Sequence, residues 1–136
     1  MKLKVSFDYD GTLTRDEVKQ YAIELLQRGI SIDIHSRRSQ KDHFPTEHDD
    51  IHHFGGSLMK YSRNQAMVEV HLCGMDKVRK IVESGAIWHL DDEKWEVDLI
   101  NNKRGLGGPF ALAFHYKVGC DFRSTLDELI KIANTF

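Results

Sequence analysis

Two aspartates, Asp8 and Asp10, sit two positions apart in the stretch SFDYDGTLT near the start of the chain and carry the same charge. Carboxylates that close repel unless a cation or a shared proton lies between them. A second acidic pair, Asp91 and Asp92, ends AIWHLDD; Ser36 ends ISIDIHS, and Lys77 stands near the start of MDKVRKIVESG. Carboxylate oxygens suit a hard cation such as Mg²⁺, while a hydroxyl, an ammonium and backbone N–H groups suit a phosphate. Together the set has the composition of a site for both. Each member also has a plainer role. Asp8, Asp10 and Gly11 are good turn formers, Ser36 is a polar strand end, and Lys80, one turn beyond Lys77, is also free to reach a site, although Lys77 at the helix start is nearer the strand ends.

The elements around these residues explain how they could meet. Lys2 to Phe7 alternates apolar Leu3, Val5 and Phe7 with Lys4 and Ser6, the pattern of a strand. TRDEVKQYAIELLQRG carries a capping-box pattern at Thr14 and Glu17 and an apolar stripe of Val18, Tyr21, Ala22, Leu25 and Leu26, with Gly29 suited to the helix end. A second alternating strand runs from Ile30 to Ser36, so strand, helix and strand fit one parallel βαβ unit. Residues 37–66 are polar, His-rich and broken by Pro45, Gly55 and Gly56, with a helix starting near Asp49 or after Ser57. Further strands are expected at 67–73, 86–92 and 109–115, and helices at 75–85 and from Ser124, capped by Ser124 and Asp127. In EKWEVDLINN the alternation of Trp95, Val97 and Leu99 suggests a strand, but a parallel neighbour needs a crossover, which predicts a helix.

This rhythm predicts one α/β domain over residues 1–136, a three-layer Rossmann-like fold with a mostly parallel five-stranded sheet. In such a sheet Asp8, Asp10, Ser36, Asp91 and Asp92 share the carboxyl-end edge, where ligands bind. One feature conflicts with a covered parallel sheet. Lys4 and Ser6, Asp33 and His35, Glu69 and His71 would form a polar face, either thinly covered or paired across strands.

Composition narrows the classes. The chain has 136 residues, 40% hydrophobic and 29% charged, enough for one domain with its own core. A net charge of -2 gives no overall basic surplus for nucleic acid. Cys73 and Cys120 form no CxxC or zinc-finger spacing, and a reduced, cytoplasmic protein is the simplest expectation. No segment reads as a secretory signal or membrane span. Of the eight histidines, His43, His48, His52 and His53 cluster with Asp49 and Asp50; the alternatives there are a solvated loop or a Zn²⁺ or Ni²⁺ site using an i, i+4 pair. KRGLGGP (103–109) lacks phosphate-loop spacing and reads as a connection.

In order along the chain, FDYDGTLT, IHSRR, MDKVRK and WHLDD resemble the four motifs of the haloacid dehalogenase (HAD) superfamily of hydrolases. The resemblance implies that Asp8 attacks phosphorus to form an aspartyl-phosphate, and that Asp10 is the general acid and base. It implies a phosphate-binding set of Gly11, Thr12, Ser36, Arg37 and Lys77. It further implies Mg²⁺ held by Asp8, Asp10 through its carbonyl, and the Asp91–Asp92 pair, with Asp91 the favoured direct ligand. Asp33 and His35 depart from the family's usually apolar second strand. The stretches where family members insert a cap domain are short here, so a capless member is expected, at most with a His-rich lid. The implied activity is Mg²⁺-dependent phosphomonoester hydrolysis. The alternatives are a catalytically silent metal- and phosphate-binding protein, or a structural partner that oligomerises through the polar sheet face. An open site favours a large phosphorylated substrate, a nucleic-acid end or nucleotide ahead of a phosphoprotein, met by a rim of Arg37, Arg38, Lys41, Lys60, Arg63, Lys103 and Arg104.

Overall fold

The computed structural model describes residues 3–39, 49–104 and 112–134. Alternating apolar residues make strands β1 (Lys4–Asp8), β2 (Ser31–Ser36), β3 (Val68–Leu72), β4 (Trp88–Asp91) and β5 (Leu112–His115). They pair in the order β3-β2-β1-β4-β5, and every pairing is parallel. Between them run helices α1 (Asp16–Gln27), α2 (Asp49–Leu58), α3 (Lys77–Glu83) and α4 (Lys94–Arg104), and α5 (Phe122–Asn134) follows β5. The fold is the expected three-layer, Rossmann-like α/β sandwich, with the sheet wholly parallel.

One face of the sheet is apolar. Val5, Phe7, Ile32, Ile34, Trp88 and Leu90 pack with residues of α1, α2 and α5 in a single core cluster. Trp88 anchors it: its ring meets Phe7 and Tyr21 edge-on, and its indole N–H donates to Thr125 Oγ1 at 2.9 Å. Burying a side chain of this kind contributes about 2–3 kcal/mol. A smaller cluster of Ile81, Ala86, Val97, Ile100 and Ala113 seats α3 and α4 on the opposite face, toward β4 and β5. The rest of that opposite face is polar. The register aligns Ser6 with Asp33 and Glu69, and Asp8 with His35 and His71. The side chains pair across strands, as one of the two alternatives from the sequence required: Lys4 Nζ lies 3.2 Å from Asp33 Oδ2, and Ser6 Oγ is 2.7 Å from His35 Nδ1.

Several local expectations are corrected. Thr14 does not cap α1; the helix begins at Asp16 after Arg15, and Thr14 Oγ1 instead accepts from the Gly11 N–H at 3.1 Å. The tight turn after β1 takes up that hydroxyl first. Glu17 likewise turns away to accept from the Tyr116 hydroxyl. At α5 the cap is Asp121, whose Oδ1 accepts from the Ser124 N–H at 3.2 Å, because Ser124 already lies inside the first turn. Asp127 accepts from the Tyr21 hydroxyl at 2.9 Å. Gly55 and Gly56 do not break the chain but lie within α2. A Cβ on Gly55 would meet Val70 Cγ2 at 2.8 Å, so this glycine lets α2 approach β3 closely. Residues 105–109 of KRGLGGP, the start of the 109–115 strand, and His43 and His48 lie outside the described residues. His52 and His53 are exposed on α2.

Candidate active site

The strand order creates one special crevice. The chain proceeds outward from β1 to β2 and β3, then crosses back to lay β4 on the other side of β1. At such a switch point the connections leave in opposite directions and open a gap at the carboxyl ends. Asp8 is the last residue of β1 and Asp91 the last of β4. A cavity of about 370 Å³ opens there. Asp8, Asp10, Gly11, Arg37, Lys77 and Asp92 all line it, joined by Glu93 and Glu96 from the turn into α4.

Lys77 is the hub. It is 2% exposed at the start of α3, and its Nζ lies 2.6 Å from Asp8 Oδ1, 3.0 Å from Asp91 Oδ2 and 2.8 Å from Glu96 Oε2. Lys80, the other candidate from the sequence, faces a different cavity with Ser39, Cys73 and Met75. One ammonium cannot neutralise three carboxylates. Burial, followed by the neighbouring Asp91 charge, raises the Asp8 carboxyl to about 8, with Lys77 opposing only part of that rise. Burial weakens the Lys77 charge, but Asp8 and Asp91 outweigh it and hold the ammonium well above its usual range. Burial also works against ionised Asp91, yet its bonds to His89 and Lys77 prevail and keep it a carboxylate. Asp8, Asp91 and Asp92 offer one oxygen each within 4.8 Å of one another. This crowding of negative charge fits a hard divalent cation.

The acidic pair at β4 divides its work. Asp91 is fully buried; Oδ2 faces His89 Nε2 at 2.9 Å and Oδ1 accepts from the Glu93 N–H at 3.0 Å. Asp92 instead lines the cavity opposite Gly11. Gly11 has φ +79°, and a Cβ there would meet Asp92 Oδ2 at 2.3 Å. The backbone therefore favours glycine, and any side chain there would have to displace the Asp92 carboxylate. Thr12 Oγ1 donates to Asp8 Oδ2 at 3.1 Å, fixing the carboxylate from beneath rather than facing the cavity. Ser36 is 2% exposed, does not line the cavity, and accepts from the Arg38 N–H at 3.1 Å.

Asp10 is exposed and held at the mouth. Arg38 Nη2 lies 3.0 Å from Asp10 Oδ1, and the same guanidinium reaches Asp50 at the start of α2, 2.5 Å away. Arg37 extends along the cavity wall, ion-paired with Glu96 and stacked 4.2 Å over the Trp95 ring. Sequence reasoning missed Glu96; it placed Arg38 on a basic rim and Asp50 in the His-rich cluster, not in a clamp on Asp10.

Sequence reasoning allowed for Ser6 pairing with His35 across strands but missed the extension of that pair through His89 to Asp91 behind the site. Ser6 Oγ lies 2.7 Å from Nδ1 of both His35 and His89, and His89 Nε2 meets Asp91. Ser6, His89 and Asp91 thus lie in series like a hydrolytic serine triad, but all three are fully buried and no substrate can reach the hydroxyl. Burial, then the Asp91 bond working against it, leaves His89 more weakly basic than a free imidazole. No family model, curated protein or solved structure matches the chain. No helix among the described residues is long and apolar enough to cross a membrane.

Proposed function

We propose that this chain is a Mg²⁺-dependent phosphomonoesterase of the HAD type, working through an aspartyl-phosphate on Asp8. The observation that carries the reading is the Asp8–Lys77 contact at the floor of an open cavity, beside Asp92 and above Asp91, at the switch point of the sheet. Asp8 and Asp92 would hold Mg²⁺, in place of the Asp91 favoured from the sequence, because Asp91 is buried with its oxygens facing His89, Lys77 and the Glu93 N–H. The bound cation would screen the anionic phosphate from the anionic nucleophile and favour ionised Asp8. Asp8 Oδ attacks phosphorus as the ester oxygen departs with a proton from Asp10. Water, giving its proton back to Asp10, then cleaves the acyl phosphate and frees inorganic phosphate. Lys77 balances charge on the nucleophile and the transferring group. Arg38 must release Asp10 for this, and an incoming phosphate is a competing anion for that guanidinium.

A second reading, a metal- and phosphate-binding protein without turnover, is favoured by the same Arg38–Asp10–Asp50 clamp, which occupies the acid in an ion pair. The test is phosphate release from an aryl phosphate with Mg²⁺, with wild type and Asp8→Asn compared, and acid-quenched protein analysed by mass for a phosphorylated Asp8. Turnover with a labile phosphoryl adduct supports the enzyme. Binding of phosphate and Mg²⁺ with neither turnover nor adduct supports the second reading.

A further inference from the structure

On the polar face of the sheet, among residues that do not line the cavity, Asp33, His35 and His71 offer one ligand atom each within 4.8 Å of one another. Asp33 and His35 project from the same side of β2, and His71 is the register partner of His35 on the edge strand β3. The two imidazoles stack with centroids 4.7 Å apart. Asp33 is 2% exposed, yet its Oδ2 completes no hydrogen bond; its nearest cation is Lys4 Nζ at 3.2 Å, on a side chain one-third exposed. His71 Nε2 is buried and also completes no hydrogen bond, although Asp33 Oδ1 is 3.3 Å away. A buried carboxylate held by one part-exposed lysine, beside a buried ring nitrogen that faces Asp33 and Glu69 without completing a hydrogen bond, keeps bonding capacity for a cation between them.

The buried chain behind the site fixes which His35 nitrogen is available. His89 Nε2 faces the Asp91 carboxylate, an acceptor, so that nitrogen carries hydrogen and His89 Nδ1 is bare. The Ser6 hydroxyl has one proton, and bare His89 Nδ1 takes it. Ser6 Oγ must therefore accept from the other ring at 2.7 Å, which puts the hydrogen of His35 on Nδ1 and leaves Nε2 with a lone pair. This is the arrangement of a metal-ligating histidine, whose second nitrogen donates to a fixed acceptor.

We propose that Asp33, His35 through Nε2 and His71 form a site for a borderline divalent transition cation, Zn²⁺ foremost, distinct from the carboxylate site at Asp8. Two imidazoles and one carboxylate are a common ligand set for Zn²⁺, with a fourth position left to solvent. Lys4 holds the place of the cation in its absence and swings out on binding. His71, one-third exposed on the edge strand, is the ligand that adjusts to close the site. The bound cation ties β3 to β2 and locks the hydrogen-bond direction from His35 to Asp91.

The test titrates tag-free full-length protein with Co²⁺ in excess Mg²⁺, reading its visible absorption, followed by competition with Zn²⁺. One equivalent is expected to bind and to be displaced by Zn²⁺. His71→Ala should weaken binding at least about tenfold, and Lys4→Gln should tighten it by up to about tenfold. The gain in Lys4→Gln keeps the test decisive if His71→Ala is poorly folded. Asp92→Asn should leave the signal unchanged. Absence of binding overturns the proposal. So does a signal that survives His71→Ala, whether it is lost in Asp92→Asn, which assigns it to the carboxylate site, or in His52→Ala, which assigns it to α2.

Discussion

Replacing Asp8 with asparagine should make the chelated protein more stable at alkaline pH. Asp8 is buried with Asp91 beside it, and its folded pKa is raised from 3.8 to about 8. A carboxyl raised on folding contributes stability that is fully present below its unfolded value and is lost as pH climbs through the folded one. Chelated wild-type protein should therefore lose stability between about pH 4 and pH 8. Each pKa unit corresponds to about 1.4 kcal/mol, so the ceiling is about 5–6 kcal/mol. The opposing effect of Lys77 is already contained in that value, and proton sharing among the crowded carboxylates reduces the net effect to about 2–3 kcal/mol. Asn at this position keeps an oxygen for Lys77 and carries no charge. In EDTA at pH 8, Asp8→Asn should melt roughly 5–12 °C above wild type, with the gap closing toward pH 5. Added Mg²⁺ should raise the wild-type melting temperature and leave the variant unmoved. Melting curves across this pH range decide the matter. Parallel pH profiles for the two proteins, or a less stable variant at pH 8, would refute the reasoning.

The other expectations concern catalysis, packing and substrate. Asp10→Asn should slow hydrolysis about 10²–10⁴-fold, and less for esters with good leaving groups; an equal loss across leaving groups, read from kcat, would remove its acid role. Lys77→Ala should abolish turnover while Lys80→Ala stays near wild type, since only Lys77 reaches Asp8; the reverse order in a kinetic assay would contradict the geometry. Gly55→Ala should destabilise by about 1–2 kcal/mol in urea unfolding, despite the better helix propensity of alanine, because its Cβ would press on Val70. An oligonucleotide with a terminal phosphate should be hydrolysed with higher kcat/KM than the mononucleotide, with a salt-sensitive advantage; equal values would leave the basic rim without a role. Arg37 and Arg38 are already ion-paired with Glu96, Asp10 and Asp50, which limits the rim's strength.

Local pattern determined much of the architecture. Alternation in KVSFD, SIDIHS and WHLD marks strands because side chains of a strand project to opposite faces, and the helical spacing in DEVKQYAIELLQ marks the crossover between the first two. The placement of Asp8 and Asp91 at strand ends follows from those patterns together with a turn glycine. Cap identity did not follow, since Thr14 and Asp121 are chosen by which N–H groups the neighbouring turns leave open. Nor did the sense of Gly55, which breaks nothing and serves a close helix–strand approach visible only once β3 is in place. The strand order was decided by tertiary structure alone, and with it the crevice between β1 and β4. So were the three-carboxylate surroundings of Lys77, the burial of Asp91 beneath Asp92, and the link from Ser6 through His89 to Asp91. These depend on contacts between residues distant in the chain, whose strength is set by burial and by neighbouring charge. A sequence supplies the carboxylates, but only the fold brings three of them to one lysine.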